Sequence, residues 1–140
     1  MKKTTLIIAI LLLFAPFLKA QTTDIPSGKA RVYLLRETGV IGWASKFNFM
    51  VNNKKVCSLA NKKYTILDID TGEVTICTMP LNKKGQNVYG DIPTKLKLEA
   101  GNTYYFNFYI NLSPAQGWEQ ITIKNVAEEM IKKLKIATCN

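Results

Sequence analysis

Thr103-Tyr-Tyr-Phe-Asn-Phe-Tyr-Ile-Asn111 is the most regular segment of the sequence, because its side chains alternate between two kinds. The even-numbered positions form an apolar face made of Tyr104, Phe106, Phe108 and Ile110. The odd-numbered positions form a second face of aromatic and amide groups, Tyr105, Asn107, Tyr109 and Asn111. Strict alternation is typical of a β-strand that has one face in the core. We therefore predict a strand over residues 103–111 whose even-numbered face packs inward.

Shorter alternating segments continue on both sides of this strand, separated by turn-forming residues. Turns are predicted at Asn52-Asn53, Asp70-Thr71-Gly72 and Ala100-Gly101-Asn102, because these residue types favour turn conformations. About eight short strands at this spacing predict an all-β fold, an antiparallel β-sandwich, with a closed barrel as the alternative. The predicted inter-sheet core consists of Phe47, Phe49, Val74, Ile76, Leu96, Leu98, Phe106, Phe108, Ile121 and Ile123.

The periodicity changes near the C-terminus, where one amphipathic helix is predicted over residues 126–136. Its apolar positions fall on one helical face, and Asn125 has the residue type of an N-cap. Such a helix is expected to lie across a sheet or to cover an edge. We therefore predict a single domain over residues 30–140, preceded by a flexible lead-in over residues 21–29.

The N-terminal segment has the order of an export signal. Two lysines are followed by an apolar run from Leu6 to Leu18 and then by the small residue Ala20. A membrane-spanning helix needs about 20 apolar residues, so this run predicts a signal peptide over residues 1–20, with an uncleaved anchor as the alternative. No cysteine follows the run to accept a lipid. The mature chain is therefore predicted to be periplasmic or extracellular, with no stable membrane span.

Composition restricts the classes of function. The chain has 19 basic and 10 acidic residues, and removal of the three lysines within residues 1–20 leaves a net charge of +6. This charge favours acidic partners, although export argues against nucleic acid. The alternative is a solvated lysine-rich surface with no charged partner. The sequence contains no histidine, which removes the usual catalytic triads and common zinc sites. We predict no enzymatic activity, no cofactor and no metal site.

Three cysteines, Cys57, Cys77 and Cys139, would meet an oxidising compartment after export. The odd number leaves at least one thiol outside an intramolecular disulfide. Cys57 and Cys77 both lie in the strand region, so a Cys57–Cys77 disulfide is the leading prediction. A bridge to Cys139 on the C-terminal tail and three buried thiols are the alternatives.

Two groups of residues are candidates for ligand binding. Tyr105, Asn107 and Tyr109 present aromatic rings and an amide on one strand face, a combination that suits sugar rings, unless the helix covers this face. Lys62, Lys63, Lys83 and Lys84 form a possible basic tip for an anionic glycan or phosphate, unless they are simply solvated turn residues. The carboxylates of Asp68, Asp70 and Glu73 imitate only the start of a calcium loop, without its later ligands.

Four segments resemble one protein family. They are Arg31-Val-Tyr-Leu-Leu-Arg36, Val51-Asn-Asn-Lys-Lys-Val-Cys-Ser-Leu59, Lys63-Tyr-Thr-Ile-Leu-Asp-Ile-Asp-Thr-Gly72 and Leu98-Glu-Ala-Gly-Asn-Thr-Tyr-Tyr-Phe106. This order resembles the bacterial domain of unknown function numbered 2846, whose members look similar to surface-exposed sandwich modules of the PEGA and transthyretin-like type. The resemblance covers residues 30–125 and implies a fold but no catalytic residues. Many family members are lipoproteins, and this chain departs from them by lacking the acceptor cysteine.

These observations predict an exported, non-enzymatic module of the bacterial cell envelope. Its partner would be another envelope protein or a glycan. The alternatives are a structural accessory subunit of an envelope complex and a dedicated glycan-binding domain.

Overall fold

The computed structural model describes residues 24–39, 42–80, 93–110 and 116–139. These residues form nine strands and one helix. The strands are β1 (Lys29–Arg36), β2 (Phe47–Val51), β3 (Lys54–Leu59), β4 (Lys63–Asp70), β5 (Gly72–Pro80), β6 (Thr94–Leu98), β7 (Thr103–Ile110), β8 (Gln116–Gln120) and β9 (Lys135–Ile136), and the helix is α1 (Lys124–Lys132). The predicted signal peptide and the first part of the predicted lead-in lie outside the described residues.

The strands form two facing sheets, which confirms the predicted β-sandwich. The large sheet has the order β8-β7-β1-β4-β9 and the small sheet has the order β3-β2-β5-β6. The small sheet is antiparallel throughout. In the large sheet, β1 runs parallel to β7 and β4 runs parallel to β9, while the other neighbours are antiparallel. The central strand β1 is therefore flanked by β4 and β7, which come later in the chain.

The core lies between the sheets and is dominated by aromatic side chains. Phe108 of β7 is fully buried, with its ring centre 5.3 Å from that of Phe47 and 6.0 Å from that of Phe49 on the small sheet. Trp118 of β8 is 5.4 Å from Phe108 and 5.1 Å from Phe49. The predicted inward face of the 103–111 strand is confirmed, because Phe106 and Phe108 belong to this core.

Two residues of the predicted core lie elsewhere. Strand β8 ends at Gln120, so Ile121 is only half-buried just beyond its end and Ile123 is 63% exposed. Trp118 of β8 pairs with Phe108 and points into the core. It takes the inward position on this strand that was predicted for the two isoleucines. The other eight predicted residues are in the core cluster or packed against it.

The helix is shorter and begins earlier than predicted. It spans Lys124–Lys132, its N-cap is Ile123 rather than Asn125, and no side chain caps it. Lys135 and Ile136, which were predicted as helical, pair with Lys63 and Tyr64 as strand β9. Pairing with a sheet edge has therefore overridden the local helical pattern.

The helix crosses the outer face of the large sheet, because it starts after β8 at one edge and leads to β9 at the other. Ala127 is fully buried, and so is Leu35, whose side chain points away from the inter-sheet core. Burial of these apolar groups explains why a short helix with no capping side chain is held in place.

Arg36, the last residue of β1, is fully buried at one end of the core. Its guanidinium donates hydrogen bonds to the carbonyl oxygens of Ser45 (2.7 Å), Leu59 (2.5 Å) and Gly42 (2.6 Å). Its Cζ atom lies 4.2 Å from the centre of the Phe47 ring, a cation–π contact. Burial lowers the pKa of Arg36 to about 10, so the group remains charged at neutral pH. One cation therefore ties β1 to the following loop and to β3.

The disulfide joins Cys57 to Cys139, with 4.9 Å between their Cα atoms. The predicted Cys57–Cys77 disulfide is wrong, because the two side chains lie on opposite faces of the small sheet. Cys57 pairs with Phe49 in the core, whereas Cys77 follows the core residue Ile76 and therefore points the other way. The observed bridge attaches the C-terminal tail to β3.

We expect Arg36→Met to destabilise the fold by about 3 kcal/mol, because one buried and two partly buried carbonyl oxygens lose their donor. Urea unfolding measures this change. The matched control is Arg31→Met on the same strand, which removes a partly exposed ion pair and should cost about 1 kcal/mol or less. Equal losses from the two variants would contradict the role assigned to Arg36.

We expect Cys139→Ser to lower the free energy of unfolding by about 4 kcal/mol, because the disulfide closes a loop of 82 residues. Cys77→Ser should cost much less, since it leaves the bridge intact. Alkylation of the denatured, unreduced chain followed by peptide mapping should label Cys77. Label on Cys139 instead would contradict the observed pairing.

Candidate functional site

An open cleft lies at the end of the large sheet where β1 and β7 begin. Its volume is about 1020 Å³. The walls come from the segment before β1, the turn before β7, the end of β8 and the first turns of α1: Asp24, Ile25, Arg31, Tyr33, Gly101, Asn102, Thr103, Tyr104, Tyr105, Gln120, Ile121, Thr122, Lys124 and Glu128. The backbone joins two of these walls, since Arg31 N donates to Asn102 O and Gly101 N donates to Lys29 O, each at 2.9 Å.

Two tyrosines form the aromatic floor of the cleft. Tyr33 of β1 and Tyr105 of β7 are direct neighbours in the parallel register, and their ring centres are 4.9 Å apart with an interplanar angle of 31°. Both side chains are half-buried, so each ring is partly open to a ligand. Burial, followed by the neighbouring phenol of Tyr33 and the Glu128 carboxylate, raises the pKa of Tyr105. Tyr105 is therefore uncharged at neutral pH.

An ion pair borders this floor. Arg31 donates two hydrogen bonds to the Asp68 carboxylate, from Nε at 2.8 Å and from Nη2 at 2.9 Å. The hydrogen bond from Arg31 holds the pKa of Asp68 below its ordinary value, and the same bond raises the pKa of Arg31. A bidentate pair fixes both side chains in place. The rim of the cleft thus has fixed polar groups beside its aromatic floor.

The helix supplies a second pair of charges at the cleft. Lys124 Nζ lies 3.6 Å from Glu128 Oε1 across one helical turn, and both side chains line the cleft. Together with Asp24 and Arg31, the lining holds two acids and two bases. The cleft therefore carries no strong net charge of either sign, which suits a neutral polar ligand better than an ion.

The predicted ligand face of Tyr105, Asn107 and Tyr109 is divided by the fold. Only Tyr105 lines the cleft. Asn107 is 8% exposed, and its Oδ1 accepts no hydrogen bond within the described chain. Tyr109 lies over Gly117 of β8, where a Cβ atom would come within 3.0 Å of its hydroxyl. Three residues of one strand face therefore have three different environments.

The predicted basic tip is described only in part. Lys62 lies in the turn between β3 and β4 with a φ of 56°, and Lys63 begins β4 beside Lys135 of β9. Lys83 and Lys84 lie outside the described residues. The turn is at the opposite end of β4 from Asp68, so Lys62 and Lys63 lie away from the cleft.

Two of the three carboxylates that imitate a calcium loop, Asp68 and Asp70, are engaged in ion pairs. Asp68 binds Arg31, and Asp70 Oδ1 lies 2.6 Å from Lys29 Nζ. Across residues 24–39, 42–80, 93–110 and 116–139, no group of three acidic or cysteine side chains is arranged to hold a metal ion.

Sequence reasoning missed Arg31 and Tyr33 as site residues. Their alternation with Val32 and Leu34 does indicate that they point away from the core. What the sequence does not supply is the parallel pairing of β1 with β7, which places Tyr33 beside Tyr105. That pairing joins segments about 70 residues apart and leaves no local pattern.

The sequence model of a family described as proteins of unknown function, DUF2846, matches residues 26–120. The chain belongs to this family. The match runs from before β1 to the end of β8, so the DUF2846 region contains the tyrosine floor and the Arg31–Asp68 pair. Helix α1, strand β9 and Cys139 lie beyond it. No curated protein matches the chain.

Among the described residues, α1 is too short and too polar to cross a bilayer, and no other helix there has the length and hydropathy of a membrane span.

We expect the Arg31–Asp68 pair to stabilise the fold by about 1 kcal/mol or less, and only above the acid range. Asp68 has a lowered pKa in the folded chain, so its contribution is present above its unfolded pKa and is lost as the pH falls through its folded pKa. Urea unfolding at about pH 6 and about pH 3 should show a smaller acid-induced loss for Asp68→Asn than for the wild type. Arg31→Gln should reproduce that smaller loss, and an unchanged loss in both variants would contradict it.

Proposed function

We propose that this chain is an exported, non-enzymatic protein of the bacterial cell envelope that binds a neutral glycan in the cleft. The observation that carries the proposal is the tyrosine floor, Tyr33 beside Tyr105, set between fixed polar side chains. Aromatic rings offer flat apolar surfaces against which sugar rings stack. The amides of Asn102 and Gln120 at the same cleft can donate hydrogen bonds to sugar hydroxyls and accept hydrogen bonds from them.

Two features support export. The apolar run from Leu6 to Leu18 followed by Ala20 fits a cleaved signal. The disulfide between Cys57 and Cys139 fits an oxidising compartment, where such bonds persist. The kinship with PEGA and transthyretin-like surface modules is part of this proposal and agrees with a sandwich displayed at the cell surface.

The chemistry of the cleft supports binding over catalysis. The sequence has no histidine to act as a base near neutral pH. The acids that line the cleft, Asp24 and Glu128, lie on the segment before β1 and on the helix. Glu128 forms an exposed ion pair with Lys124 on the helix.

A structural accessory subunit is the second candidate, and Trp43 is the observation that favours it. This side chain is 65% exposed on the loop that the Arg36 guanidinium holds. A large exposed aromatic side chain is a common anchor at protein interfaces. If this candidate is correct, Trp43→Ala should abolish capture of a partner in cross-linked cells and leave glycan binding unchanged.

The glycan proposal is tested by titrating the purified mature chain with cellopentaose and with soluble peptidoglycan fragments. We expect Tyr105→Ala to weaken binding by about tenfold or more, because removal of an aromatic stacking surface costs on the order of 1–3 kcal/mol where it has been measured for stacked bases. Tyr109→Ala is the matched control, since it changes the same face of the same strand outside the cleft. Equal losses in the two variants, or no binding of any glycan tested, would contradict the proposal.

Export is tested by the mass of the protein recovered from a bacterial periplasm or culture medium. We expect a chain that begins at Gln21, because the signal is cut after Ala20. A mass that retains residues 1–20 would mean that the chain is anchored and that the export proposal needs revision.

A further inference from the structure

The small sheet carries positive charge that its own residues do not neutralise. Within the described chain, its four strands contain four lysines, Lys54, Lys55, Lys95 and Lys97, and one acid, Glu73. All four lysine side chains are exposed, and none of them forms an ion pair with another described residue. The charge of this sheet is therefore available to a partner.

The other side of the sandwich differs, because its charges neutralise one another. The ion pairs of the described residues all lie on the large sheet or on α1. They include Arg31–Asp68, Lys29–Asp70, Lys124–Glu128 and Lys132–Glu129. The molecule thus has one side with paired charges and one side with unpaired lysines.

The two lysines of β6 point away from the core. Lys95 and Lys97 alternate with Leu96 and Leu98, which pack into or against the core, so the lysine side chains lie on the outer face of the sheet. Lys97 pairs across the ladder with Glu73 of β5, the acid of these strands. One carboxylate therefore faces two lysines at this side of the sheet.

The lysines of β3 lie at the other side of the same sheet. Lys55 pairs with Met50, which alternates with the core residues Phe49 and Val51, so Lys55 also points outward. Lys54 begins β3 at the rim of the sheet, at the seam with the large sheet. We call the four lysines of β3 and β6 the basic face.

The basic face is spread out rather than focused on one point. Strands β3 and β6 are the outer strands of the small sheet, with β2 and β5 between them. Neighbouring strands are about 4.8 Å apart, so the two groups of lysines are separated by roughly 14 Å. A single phosphate group cannot contact both groups, and the described strands of this sheet contain no arginine to bind one with a pair of parallel hydrogen bonds. This arrangement fits an extended plane of negative charge.

We propose that the basic face binds the surface of a membrane that contains anionic phospholipid, with the small sheet lying against the headgroups. Each lysine close to an anionic surface strengthens binding by about fivefold, which corresponds to about 1 kcal/mol. Four lysines opposed by one glutamate therefore produce weak, reversible adsorption rather than insertion.

This docking also orients the chain. The cleft is built on the outer face of the large sheet by Arg31, Tyr33 and Tyr105, on the opposite side of the sandwich from the basic face. A chain adsorbed through the small sheet therefore presents its cleft away from the lipid. The membrane inference does not rest on the glycan proposal, although access to a membrane in the cell rests on the export proposed above.

The first test is sedimentation of the purified mature chain with vesicles of phosphatidylcholine that contain one third phosphatidylglycerol, beside vesicles of phosphatidylcholine alone. We expect binding to the anionic vesicles only, and binding at least tenfold weaker at about 0.5 M salt, because salt screens exposed charges. Equal binding to the two kinds of vesicle, or no binding to either, would overturn the proposal.

The double variant Lys95→Gln with Lys97→Gln should weaken vesicle binding by about tenfold or more, because two lysines leave the basic face. The matched control is Lys132→Gln with Lys133→Gln at the end of α1, which removes the same charge from the other side of the molecule. Equal losses in the two double variants would mean that net charge rather than this face directs binding, and the proposal would fail.

Glu73→Gln provides a test that does not depend on a loss of binding. It removes the acid beside Lys97 and should strengthen vesicle binding by about fivefold, and unchanged or weaker binding would contradict the proposal.

The orientation is tested with the isotope-labelled mature chain on anionic vesicles that contain a nitroxide-labelled lipid. We expect the amide signals of residues 54–55 and 95–97 to broaden most. Broadening centred on Tyr33 and Tyr105 would overturn the proposal. Binding of soluble polygalacturonate at the basic face, by a chain that does not bind the vesicles, would also overturn it.

Discussion

The three hydrogen bonds from the Arg36 guanidinium are the constraint on which the arrangement of this sandwich depends. Within the described chain no carboxylate forms an ion pair with this buried cation, so neutral carbonyl oxygens and the face of Phe47 replace its lost hydration. Its Nε atom has no hydrogen-bond partner within the described chain, so the three bonds from Nη1 and Nη2 and the Phe47 ring provide the compensation that a buried charge requires. The loop that provides the Ser45 and Gly42 carbonyls must therefore fold back onto the core, and the end of β3 must stay beside β1. Glycine at position 42 allows this path, because its φ of 71° is rare for other residues. A Cβ atom there would also lie only 3.1 Å from Ile110 Cδ1.

Strand β1 contributes side chains to the core from one face and to the cleft from the other. Its even-numbered side chains, from Ala30 to Arg36, fill the core, while Arg31 and Tyr33 on the opposite face build the cleft. The same division explains why the tyrosine floor of the cleft lies within the family-matched region even though α1 does not. The sheet supplies the aromatic floor and the fixed ion pair. The helix adds Lys124 and Glu128 as a wall that other members of the family need not share.

The alternation of Phe106 and Phe108 with Asn107 predicted the strand, its phase and the sandwich, because the side-chain period of a strand is local information. The sequence also indicates that Cys77 points away from the core, because it follows the inward-facing Ile76 in the same strand. That direction excludes a bridge to the inward-facing Cys57. No local sequence pattern predicts the parallel pairing of β1 with β7, so the sequence alone does not place Tyr33 beside Tyr105. The ends of the last strand and the helix were misplaced for a related reason. The inward position of Trp118 and the pairing of Lys135 with Lys63 are set by contacts between distant segments. These contacts override the local sequence pattern.

The position of β1 between β4 and β7 also fixes an order of assembly. Arg31 pairs with Asp68 on one side and with Thr103 on the other, and both partners are synthesised long after it. Contacts between distant segments are slow to form, because the chain loses the entropy of closing a long loop before these contacts stabilise it. The hairpin of β2 and β3 can form early, since its strands are adjacent in sequence. The central strand is thus the first to be synthesised and among the last to be completed, and until β7 pairs with it one of its edges stays open.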